Sequence, residues 1–231
     1  MKIAFLVPAY NEAATIGDVL ERIDALGIDR QIVVVDDGSS DDTAAIVRAY
    51  AAEHDGVLLL QQANRGKGAA LRHGIPHLDA DVVVIQDADL EYDPAEVPHL
   101  VAPIEAGVAD VVYGSRLSGG RAQRAYLFWH MVGNRVLSLL TGLLFNTTLS
   151  DMETGYKAFR TEVLQALPLT EDQFGIEPEI TGWVCRRHLR IYEVPISYYG
   201  RTYAEGKNIT WRDGFRAVWV LFRVRFARER G

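Results

Sequence analysis

The sequence predicts an α/β protein with a mainly parallel β-sheet that is covered by helices on both faces. Short apolar runs alternate with helical stretches through the first half of the 231-residue chain, and polar turns follow the runs. Apolar runs of about four to eight residues between turns are typical of strands that are buried on both faces. Because strands that alternate with helices are joined by right-handed crossovers, we expect neighbouring strands to run parallel.

Five strands are predicted in the first half, at residues 2–7, 32–35, 57–60, 82–85 and 110–113, with Pro8 expected to end the first strand. Helices are predicted at about residues 13–26, at residues 43–53, from the N-R-G-K-G stretch to about residue 77, and from Pro94 onward. Asp41 or Asp42 is expected to cap the second of these helices. A carboxylate accepts hydrogen bonds from the unpaired N–H groups of a first helical turn.

The second half of the chain has a different character. Residues 124–145 are predicted to form one long apolar helix, followed by a helix near residues 177–187 and a strand at residues 191–196. The last segment places four aromatic residues at helical spacing, namely Phe215, Trp219, Phe222 and Phe226. The expected organisation is one domain at residues 1–209 and a basic, aromatic, amphipathic C-terminal helix at residues 210–231.

Charge is distributed unevenly along the chain. Residues 1–110 hold 7 Lys and Arg against 20 Asp and Glu, whereas residues 111–231 hold 17 against 11, and the net charge is −7. A basic second half indicates contact with something anionic, such as phosphate groups or a membrane surface. The single cysteine, Cys185, excludes an internal disulfide and a multi-cysteine zinc site, and it fits a reducing compartment.

The segment V-V-V-I-Q-D-A-D-L-E-Y-D-P at residues 82–94 is the centre of the functional prediction. Ligands of open α/β sheets lie beyond the carboxyl ends of the strands, which is where Asp87 and Asp89 flank one small residue. Two carboxylates at such a point suit Mg²⁺ or Mn²⁺ holding a diphosphate. The alternative is an acidic turn that opens the next helix, and we assign Asp93 and Glu96 to that capping role.

The turns after the first two strands also carry polar groups. Tyr10 and Glu12 follow the first strand and Asp36 and Asp37 the second, so all should gather at one sheet edge. Consecutive carboxylates at a strand end suit ribose hydroxyls or the N–H group of a base. P-A-Y-N-E is not a Gly-rich turn and N-R-G-K-G lacks the spacing of a Walker loop, which excludes hydride transfer and ATP hydrolysis.

Seven ordered segments resemble those of the inverting glycosyltransferases of the GT-A fold that are typified by dolichyl-phosphate mannose synthase. They are P-A-Y-N-E, V-D-D-G-S-S-D-D-T, N-R-G-K-G-A-A-L, D-A-D-L, Y-G-S-R, D-M-E-T-G-Y-K-A-F-R and R-T-Y-A-E-G-K-N-I, and they run from residue 8 to residue 209. The resemblance implies a GT-A-type sheet and a hexosyltransferase. Such an enzyme would move one sugar, with inversion, from GDP- or UDP-hexose to a polyprenyl or dolichyl phosphate.

The resemblance also implies roles for individual residues. The expected donor-binding residues are Pro8, Tyr10, Glu12, Val35, Asp37, Lys67, Asp87 and Ala88. Asp89 and Glu91 are expected to hold Mg²⁺ or Mn²⁺; the family commonly has Gln in place of Glu91, so the extra charge should tighten metal binding. The expected acceptor-phosphate residues are Arg116, Arg124 and His130, and the expected catalytic residues are Asp89, Arg116, Arg201 and Lys207. Arg201 and Lys207 would close over the diphosphate and the acceptor.

Three readings of the chemistry remain open. A lipid phosphate is already anionic and needs no general base, only the relief of repulsion that Arg116 would supply. A hydroxyl acceptor on a glycan, lipid or small molecule would need a carboxylate to take its proton. Asp151 and Glu153 are the candidates for that base, unless they cap a helix or loop. A non-catalytic sugar-nucleotide sensor is the third reading, which the metal carboxylates with Arg201 and Lys207 disfavour.

The expected partners are a nucleotide-sugar donor and a lipid-phosphate acceptor at the membrane surface, without nucleic acid and with a small membrane subunit left open. The aromatic segments at residues 124–145 and 212–231 can pack on the sheet, yet basic residues beside Trp and Phe also suit an interfacial helix on anionic lipid. No apolar stretch is long enough to predict a spanning helix, and the first residues do not match a secretory signal. We therefore expect a cytoplasmic protein that is peripheral at the membrane surface.

Overall fold

The structure is a computed structural model, and it describes residues 1–121, 128–200 and 211–228. Within these residues the strands are β1 (Ile3–Ala9), β2 (Arg30–Asp36), β3 (Val57–Gln61), β4 (Val82–Ile85), β5 (Val111–Ser115), β6 (Lys157–Arg160) and β7 (Ile191–Pro195). The α-helices are α1 (Ile16–Asp24), α2 (Thr43–Glu53), α3 (Lys67–Gly74), α4 (Val97–Glu105), α5 (Phe128–Phe145), α6 (Thr161–Ala166), α7 (Ile176–Arg186) and α8 (Trp211–Phe226). Single 3₁₀ turns at Ile75–His77 and Pro94–Glu96 follow α3 and precede α4.

The strands form one seven-stranded sheet in the order β3-β2-β1-β4-β6-β5-β7. Every neighbouring pair is parallel except the two pairs that involve β6. The predicted α/β fold with a mainly parallel sheet is therefore confirmed. The five strands predicted in the first half lie within two residues of the observed bounds at each end.

Strand β1 does not end at Pro8, and this expectation was wrong. Strand β4 pairs with β1 only as far as Leu6, opposite Ile85, whereas β2 pairs with β1 through Ala9. The carbonyl of Ala9 accepts a hydrogen bond from the N–H of Asp37, on the β2 side. Because adjacent residues of a strand direct their N–H groups to opposite sides, Pro8 faces the side that β4 has already left. Its missing N–H therefore costs no ladder hydrogen bond.

Strand β6 and helix α6 were not predicted from the sequence. Strand β6 is four residues long and pairs antiparallel with β4 on one side and β5 on the other, so that Ala158 lies opposite both Val84 and Val112. A four-residue segment that begins with Lys157 and ends with Arg160 shows no apolar alternation. The segment is a strand because it forms hydrogen bonds with β4 and β5 on its two sides, and the residues of those partners lie elsewhere in the chain.

Two hydrophobic clusters cover the two faces of the sheet. One contains the predicted apolar face of α1 together with side chains of α4; the α1 residues are Ile16, Val19, Leu20 and Ile23. The other contains side chains from α3, α7 and α8. Because Val220 and Val224 of α8 belong to this second cluster, the C-terminal helix shares the core of the domain. The boundary between residues 209 and 210 stays a prediction, since residues 201–210 lie outside the described part of the chain.

Helices α5 and α8 pack against each other, and each exposes apolar side chains. The exposed set is Phe128, Trp129, Val136, Leu139 and Leu143 on α5, with Phe215, Trp219, Phe222 and Phe226 on α8. Trp129 is 78% exposed and Phe226 is 73% exposed. Across residues 1–121, 128–200 and 211–228, no helix is long and apolar enough to cross a membrane. Exposed apolar groups in this number are typical of a surface that contacts a partner or a lipid.

The loop at residues 170–175 packs against α3 on one side and forms ion pairs with α8 on the other. Arg223 of α8 pairs with Glu171 at 2.9 Å and with Glu179 of α7 at 2.6 Å. On the other side of the loop, α3 approaches so closely that a Cβ on Gly68 would lie 2.4 Å from the carbonyl oxygen of Glu171. The loop therefore holds the first turn of α3 in place, which is the turn that carries the predicted donor-site lysine.

Gly68→Ala is expected to lower the free energy of unfolding by about 1–3 kcal/mol, because the new methyl group meets backbone atoms rather than a side chain that can rotate. The matched control is Gly133→Ala in α5, where an added Cβ has no neighbour within 4 Å. That variant should be neutral or more stable by up to about 1 kcal/mol, since alanine favours a helix. Urea unfolding followed by circular dichroism measures both, and equal stabilities would contradict the close approach at Gly68.

Candidate active site

The predicted donor residues lie at one edge of the sheet because they follow parallel strands. Pro8 lies opposite Val35 in the pairing of β1 with β2, and β4 runs beside β1 in the same direction. The acidic turn, defined here as residues 86–91, leaves β4 at this edge. As predicted, the carboxyl ends of the first, second and fourth strands bring their polar turns together.

The antiparallel direction of β6 brings a second group of residues to the same edge. Lys157, the first residue of β6, lies opposite Ile85, the last residue of β4, and opposite Tyr113 of β5. The D-M-E-T-G-Y segment at residues 151–156 therefore reaches the acidic turn from the other direction. A Cβ on Gly155 would lie 2.5 Å from Oδ2 of Asp87, so the two segments touch.

Lys67 is partly buried and lies between two carboxylates. Its Nζ lies 2.7 Å from Oδ1 of Asp87 and 3.1 Å from Oε1 of Glu177 on α7. Burial alone would lower the pKa of Lys67, but the two carboxylates outweigh it and raise the pKa above its ordinary value. Lys67 therefore keeps its positive charge at the acidic turn, and its predicted contact with the donor stays a prediction.

Asp37 organises the N-R-G-K-G loop in which Lys67 lies. Its Oδ1 accepts hydrogen bonds from the N–H of Arg65 at 2.9 Å and from the side chain of Gln62 at 2.7 Å, and its Oδ2 accepts one from the N–H of Gly66 at 2.7 Å. The side chain is 3% exposed. A direct contact of Asp37 with a nucleoside stays a prediction; its carboxylate in this structure holds the loop.

The P-A-Y-N-E turn contacts the acidic turn through Thr15. The Thr15 hydroxyl lies 2.7 Å from the carbonyl oxygen of Ala88 and 3.0 Å from Oε2 of Glu12. Tyr10 is half exposed at the end of β1. Pro8, Tyr10, Glu12 and Val35 therefore lie close together at the adjacent carboxyl ends of β1 and β2. Their contacts with a nucleotide stay a prediction.

The two predicted metal ligands occupy a tight turn. The N–H of Glu91 donates to Oδ1 of Asp89 at 3.1 Å, and Leu90 between them has a positive φ of 60°. Oε2 of Glu91 accepts a hydrogen bond from the Tyr198 hydroxyl at 2.7 Å. Among the described residues, no group of three or more His, Cys, Asp or Glu side chains is arranged to hold a metal. Two carboxylate donors nonetheless fit Mg²⁺ or Mn²⁺, because such ions commonly take one or two carboxylates and complete their shell with substrate phosphates and water.

Asp93 and Glu96 were predicted to cap the following helix, and the structure supports this for Asp93 alone of the two. Oδ1 of Asp93 accepts from the N–H of Ala95 at 3.0 Å, at the start of the Pro94–Glu96 turn. The carboxylate of Glu96 makes no capping hydrogen bond and instead accepts one from the Ser197 hydroxyl at 2.9 Å. The prediction that Glu96 caps the helix was wrong, because its carboxylate accepts a hydrogen bond from a residue remote in the chain.

The cap predicted for α2 is confirmed. Oδ1 of Asp41 accepts a hydrogen bond from the N–H of Thr43 at 3.0 Å, as predicted for Asp41 or Asp42.

Arg116 follows β5 and forms a buried ion pair with Asp151. Its Nε and backbone N–H donate to Oδ2 of Asp151 at 2.8 and 2.9 Å, and one terminal nitrogen donates to Oδ1 at 2.8 Å. Asn134 of α5 donates to the same carboxylate at 2.6 Å. Burial opposes the charge of Arg116, but Asp151 raises the pKa of Arg116 well above its ordinary value. The arginine is therefore held rigidly at the edge with a fixed positive charge.

The other predicted acceptor residues are less completely described. His130 lies in the first turn of α5, the helix that also supplies Asn134. Arg124, Arg201 and Lys207 lie outside the described residues, so their predicted roles stay predictions.

The two alternative bases differ sharply in their surroundings. Asp151 is fully buried, and although burial would raise its pKa, its partner Arg116 lowers the pKa below the ordinary value. A carboxylate so occupied is poorly suited to take a proton. Burial raises the pKa of Glu153 to about 8, and the nearby Glu177 adds to this rise. Oε1 of Glu153 is buried without a hydrogen-bond partner among the described residues.

Four residues of this edge were not selected from the sequence. Glu177 pairs with Lys67, and Tyr198 contacts Glu91. Glu193 of β7 accepts from the N–H groups of Ser150 and Asp151, and the buried Lys157 donates to the carbonyl oxygen of Met152. The signal for Glu177 was present, because an acidic residue in the apolar stretch G-I-E-P-E-I needs a buried partner. Nothing in the sequence distinguishes Tyr198 from its neighbour Tyr199.

Comparison with known proteins agrees with this arrangement. The family described as "Glycosyl transferase family 2" matches residues 4–167, from the second residue of β1 to beyond β6, and this range includes the whole acidic turn. The chain belongs to glycosyl transferase family 2. The predicted resemblance to the GT-A polyprenyl-phosphate sugar synthases is thereby confirmed at the level of the family.

Curated relatives of this family-2 chain include transferases named for lipid phosphates. It is 32% identical to glycosyltransferase AglJ of Haloferax volcanii, over 96% of this chain and 71% of that protein. It is 32% identical to the undecaprenyl-phosphate 4-deoxy-4-formamido-L-arabinose transferase of Edwardsiella ictaluri (89% and 62%). It is 28% identical to the dolichol-phosphate mannosyltransferase of Pyrococcus furiosus (90% and 59%). The chain thus spans less than two thirds of the length of the latter two proteins.

Solved structures share the fold of this family-2 domain. Glucosyl-3-phosphoglycerate synthase from Mycobacterium tuberculosis, in complex with Mn²⁺, UDP and glucosyl-3-phosphoglycerate, matches with a TM-score of 0.74 and 23% identity over 100% of this chain and 82% of that one. The same enzyme with Mg²⁺ and UDP matches with a TM-score of 0.75 and 23% identity over 100% and 81%. The GT-A fold predicted from the sequence is confirmed.

Glu153→Gln is expected to flatten the pH dependence of stability. Burial raises the pKa of Glu153 from 4.5 to about 8, so between these values the folded state binds a proton that the unfolded state has released. The contribution of this group to stability therefore falls as pH rises from about 5 to 8, and the glutamine removes it. Urea unfolding at pH 5 and pH 8 measures the difference. Glu162→Gln, with a side chain 81% exposed, is the control; an identical slope in the two variants would contradict a buried, protonated Glu153.

Proposed function

We propose that this family-2 glycosyltransferase moves one hexose from a nucleotide sugar to a polyprenyl phosphate, with inversion and with the help of a divalent cation. The observation that carries the proposal is the meeting of acidic and basic groups at one sheet edge. The acidic turn supplies Asp87 and Asp89, the N-R-G-K-G loop supplies Lys67, and β5 supplies Arg116. This arrangement offers one place for a metal–diphosphate and another for an anionic acceptor.

The donor half of the proposal rests on the charges around the acidic turn. Asp89 and Glu91 would bind Mg²⁺ or Mn²⁺, which would supply charge neutralisation for the departing nucleoside diphosphate. Lys67, held by Asp87 and Glu177, lies where it would stabilise the same developing charge. Pro8, Val35 and the turns that follow them would line the nucleoside pocket. The solved neighbours with UDP and Mn²⁺ or Mg²⁺ support this placement by likeness of fold.

The acceptor half of the proposal rests on Arg116. Its partly buried guanidinium pairs with Asp151 on one side, and its carbon Cζ lies 5.0 Å from the centre of the Tyr198 ring. Contact with this arginine would offset part of the repulsion between an acceptor phosphate and the diphosphate. Two of the curated relatives are named for undecaprenyl phosphate and dolichol phosphate, which supports a lipid phosphate as the acceptor.

The reaction would be a single in-line displacement. The acceptor phosphate oxygen would form a bond to the anomeric carbon as the bond from that carbon to the diphosphate oxygen breaks, and the electron pair would leave with the nucleoside diphosphate. Because the phosphate oxygen is already anionic, no base is required. The job of the protein would be to hold two anions together long enough for the displacement to occur.

A hydroxyl acceptor is the second candidate, and Glu153 is the observation that favours it. A carboxyl group whose pKa is raised to about 8 at this edge would be a stronger base than an ordinary carboxylate once it is ionised, above about pH 8, and would then take the proton of a sugar or lipid hydroxyl. Asp151→Asn does not separate the two candidates, because the same change releases Arg116. The acceptor itself must be varied.

The exposed apolar groups of α5 and α8 would place the active site at a membrane surface. Trp219 and Phe226 of α8 are exposed, and the neighbouring Arg225 and Arg228 are exposed as well. Aromatic groups beside arginines suit the interface of an anionic bilayer. A protein seated there would meet the phosphate of a polyprenyl lipid at the height of the head groups.

The transfer assay uses purified protein, Mn²⁺, a panel of labelled GDP- and UDP-hexoses, and a short polyprenyl phosphate beside the matched polyprenol. We expect product with the phosphate and none with the alcohol. Asp89→Asn should reduce transfer by about 100-fold or more, because it removes a proposed metal ligand. Product recovered in the organic phase measures both effects.

Asp79→Asn is the matched control, since Asp79 has a side chain 92% exposed and precedes the amino end of β4. It should transfer at the wild-type rate. Transfer to polyprenol that is lost in Glu153→Gln would favour the hydroxyl acceptor instead, and nucleotide binding without any product would support a sensor.

Phe226→Asp and Trp219→Asp are expected to weaken binding to vesicles that contain anionic lipid, by about tenfold or more for each change, because burial of an aromatic group in the interface is lost and a negative charge is added. Co-sedimentation with phosphatidylcholine vesicles containing phosphatidylglycerol measures the bound fraction. Val108→Asp changes an exposed apolar residue away from α5 and α8 and should bind as wild type. Loss of binding in all three variants would contradict a specific contact through α8.

A further inference from the structure

We infer that Tyr198 is a positioning residue that joins the metal-binding and acceptor-binding halves of the site. Its hydroxyl holds the carboxylate of Glu91, and its ring lies against the guanidinium of Arg116. The inference rests on the proposed function, since it takes Glu91 as a metal ligand and Arg116 as the acceptor arginine. It adds a residue that the sequence pattern did not single out.

The contact with Glu91 is made twice from the same short segment. The Tyr198 hydroxyl donates to Oε2 of Glu91 at 2.7 Å, and the backbone N–H of Tyr199 donates to the carbonyl oxygen of Glu91 at 3.0 Å. One bond fixes the backbone of the acidic turn and the other fixes the direction of the side chain. A donor bound to one oxygen of a carboxylate sets the orientation of the other oxygen toward a metal.

The contact with Arg116 comes from the ring of the same tyrosine. The guanidinium carbon of Arg116 lies 5.0 Å from the centre of the ring, within the range of a cation–π contact. The ring also packs against Tyr92 at a centroid distance of 5.4 Å, and Tyr92 stacks on Tyr156 at 5.0 Å. Tyr198 is 6% exposed, so these neighbours leave its ring little freedom to move.

The sheet explains why one residue reaches both groups. Strand β7 pairs with β5 in parallel, with Pro195 opposite Ser115, and the N–H of Ile196 still donates to the carbonyl of Ser115 at 3.1 Å. Arg116 is the first residue after β5, so both chain segments leave the sheet side by side. Tyr198 then lies between Arg116 and the acidic turn that leaves β4. The distance between the two halves of the site thus depends on this side chain.

A tyrosine that only filled space would not need its hydroxyl, and this separates the inference from a packing role. Phenylalanine has the same ring but lacks the hydroxyl, which in Tyr198 donates a hydrogen bond to the carboxylate of Glu91. Removing the hydroxyl should therefore affect the metal and not the acceptor. Removing the ring should affect both.

The test compares Tyr198→Phe, Tyr198→Leu and the matched control Tyr199→Phe, whose side chain is 55% exposed in the wild type. Calorimetric titration of Mn²⁺ in the presence of UDP or GDP measures metal binding without turnover. The KM for a short polyprenyl phosphate measures the acceptor half. We expect Tyr198→Phe to weaken Mn²⁺ binding by about tenfold, as for other outer partners of metal ligands, with an acceptor KM within twofold of wild type.

Tyr198→Leu should weaken Mn²⁺ binding to the same degree and also raise the acceptor KM severalfold, whereas Tyr199→Phe should match wild type in both. Wild-type Mn²⁺ binding by Tyr198→Phe would overturn the inference while leaving the proposed function intact. Wild-type protein that binds Mn²⁺ and nucleotide but transfers nothing to the lipid phosphate would overturn the proposed acceptor, and the Mn²⁺ comparison would still decide the role of the hydroxyl. Wild-type protein that binds no Mn²⁺ with either nucleotide would overturn both the metal-assisted function and the role of Tyr198.

Discussion

The insertion of β6 between β4 and β5 is the constraint on which the rest of the site depends. A parallel sheet alone would bring the turns after β1, β2, β4 and β5 to one edge, but not the segment at residues 151–156. Because β6 runs antiparallel, its preceding segment at residues 151–156 arrives at that edge rather than at the opposite one. Asp151 then meets Arg116, and Gly155 lets the backbone approach Asp87. Four residues of antiparallel pairing thus bring to this edge the segment that pairs with Arg116 and contacts Asp87.

The charges at this edge are stable because nearly every buried one has a partner of opposite sign. Lys67 lies between Asp87 and Glu177, and Arg116 lies against Asp151. Breaking such a buried pair from one side typically costs about 3–5 kcal/mol, since it leaves an uncompensated charge. The pairs therefore hold two cations in place, facing the positions where the proposed reaction would gather negative charge. Glu153 and Lys157 are exceptions, because burial raises the pKa of the carboxyl group to about 8 and lowers the pKa of the ammonium to about 8.

Much of the fold and part of the site could be predicted from local patterns. The strands of the first half are continuous apolar runs, and a polar turn after such a strand must lie at the carboxyl edge, which brought Asp87 and Asp89 into the prediction. Arg116 entered the prediction through the resemblance of Y-G-S-R to the family. The expectation for Pro8 failed because the neighbouring strand β4 is short, a fact that no residue near Pro8 records. The expectation for Glu96 failed because Ser197, about a hundred residues later, takes its carboxylate. The pairing of Lys67 with Glu177 depends on the packing of α7 in the same way.

The sequence by itself determined the fold class, the family and the chemical character of the site. These properties reside in short segments whose periodicity or residue types can be read in isolation, such as the acidic turn after β4. The tertiary structure alone decided which charges neutralise each other, which carboxylate is protonated, and which of two adjacent tyrosines reaches Glu91. Each of these depends on burial and on the distance between residues remote in the chain. Burial and distance are set by the packing of the whole sheet with its helices, and no local pattern encodes them.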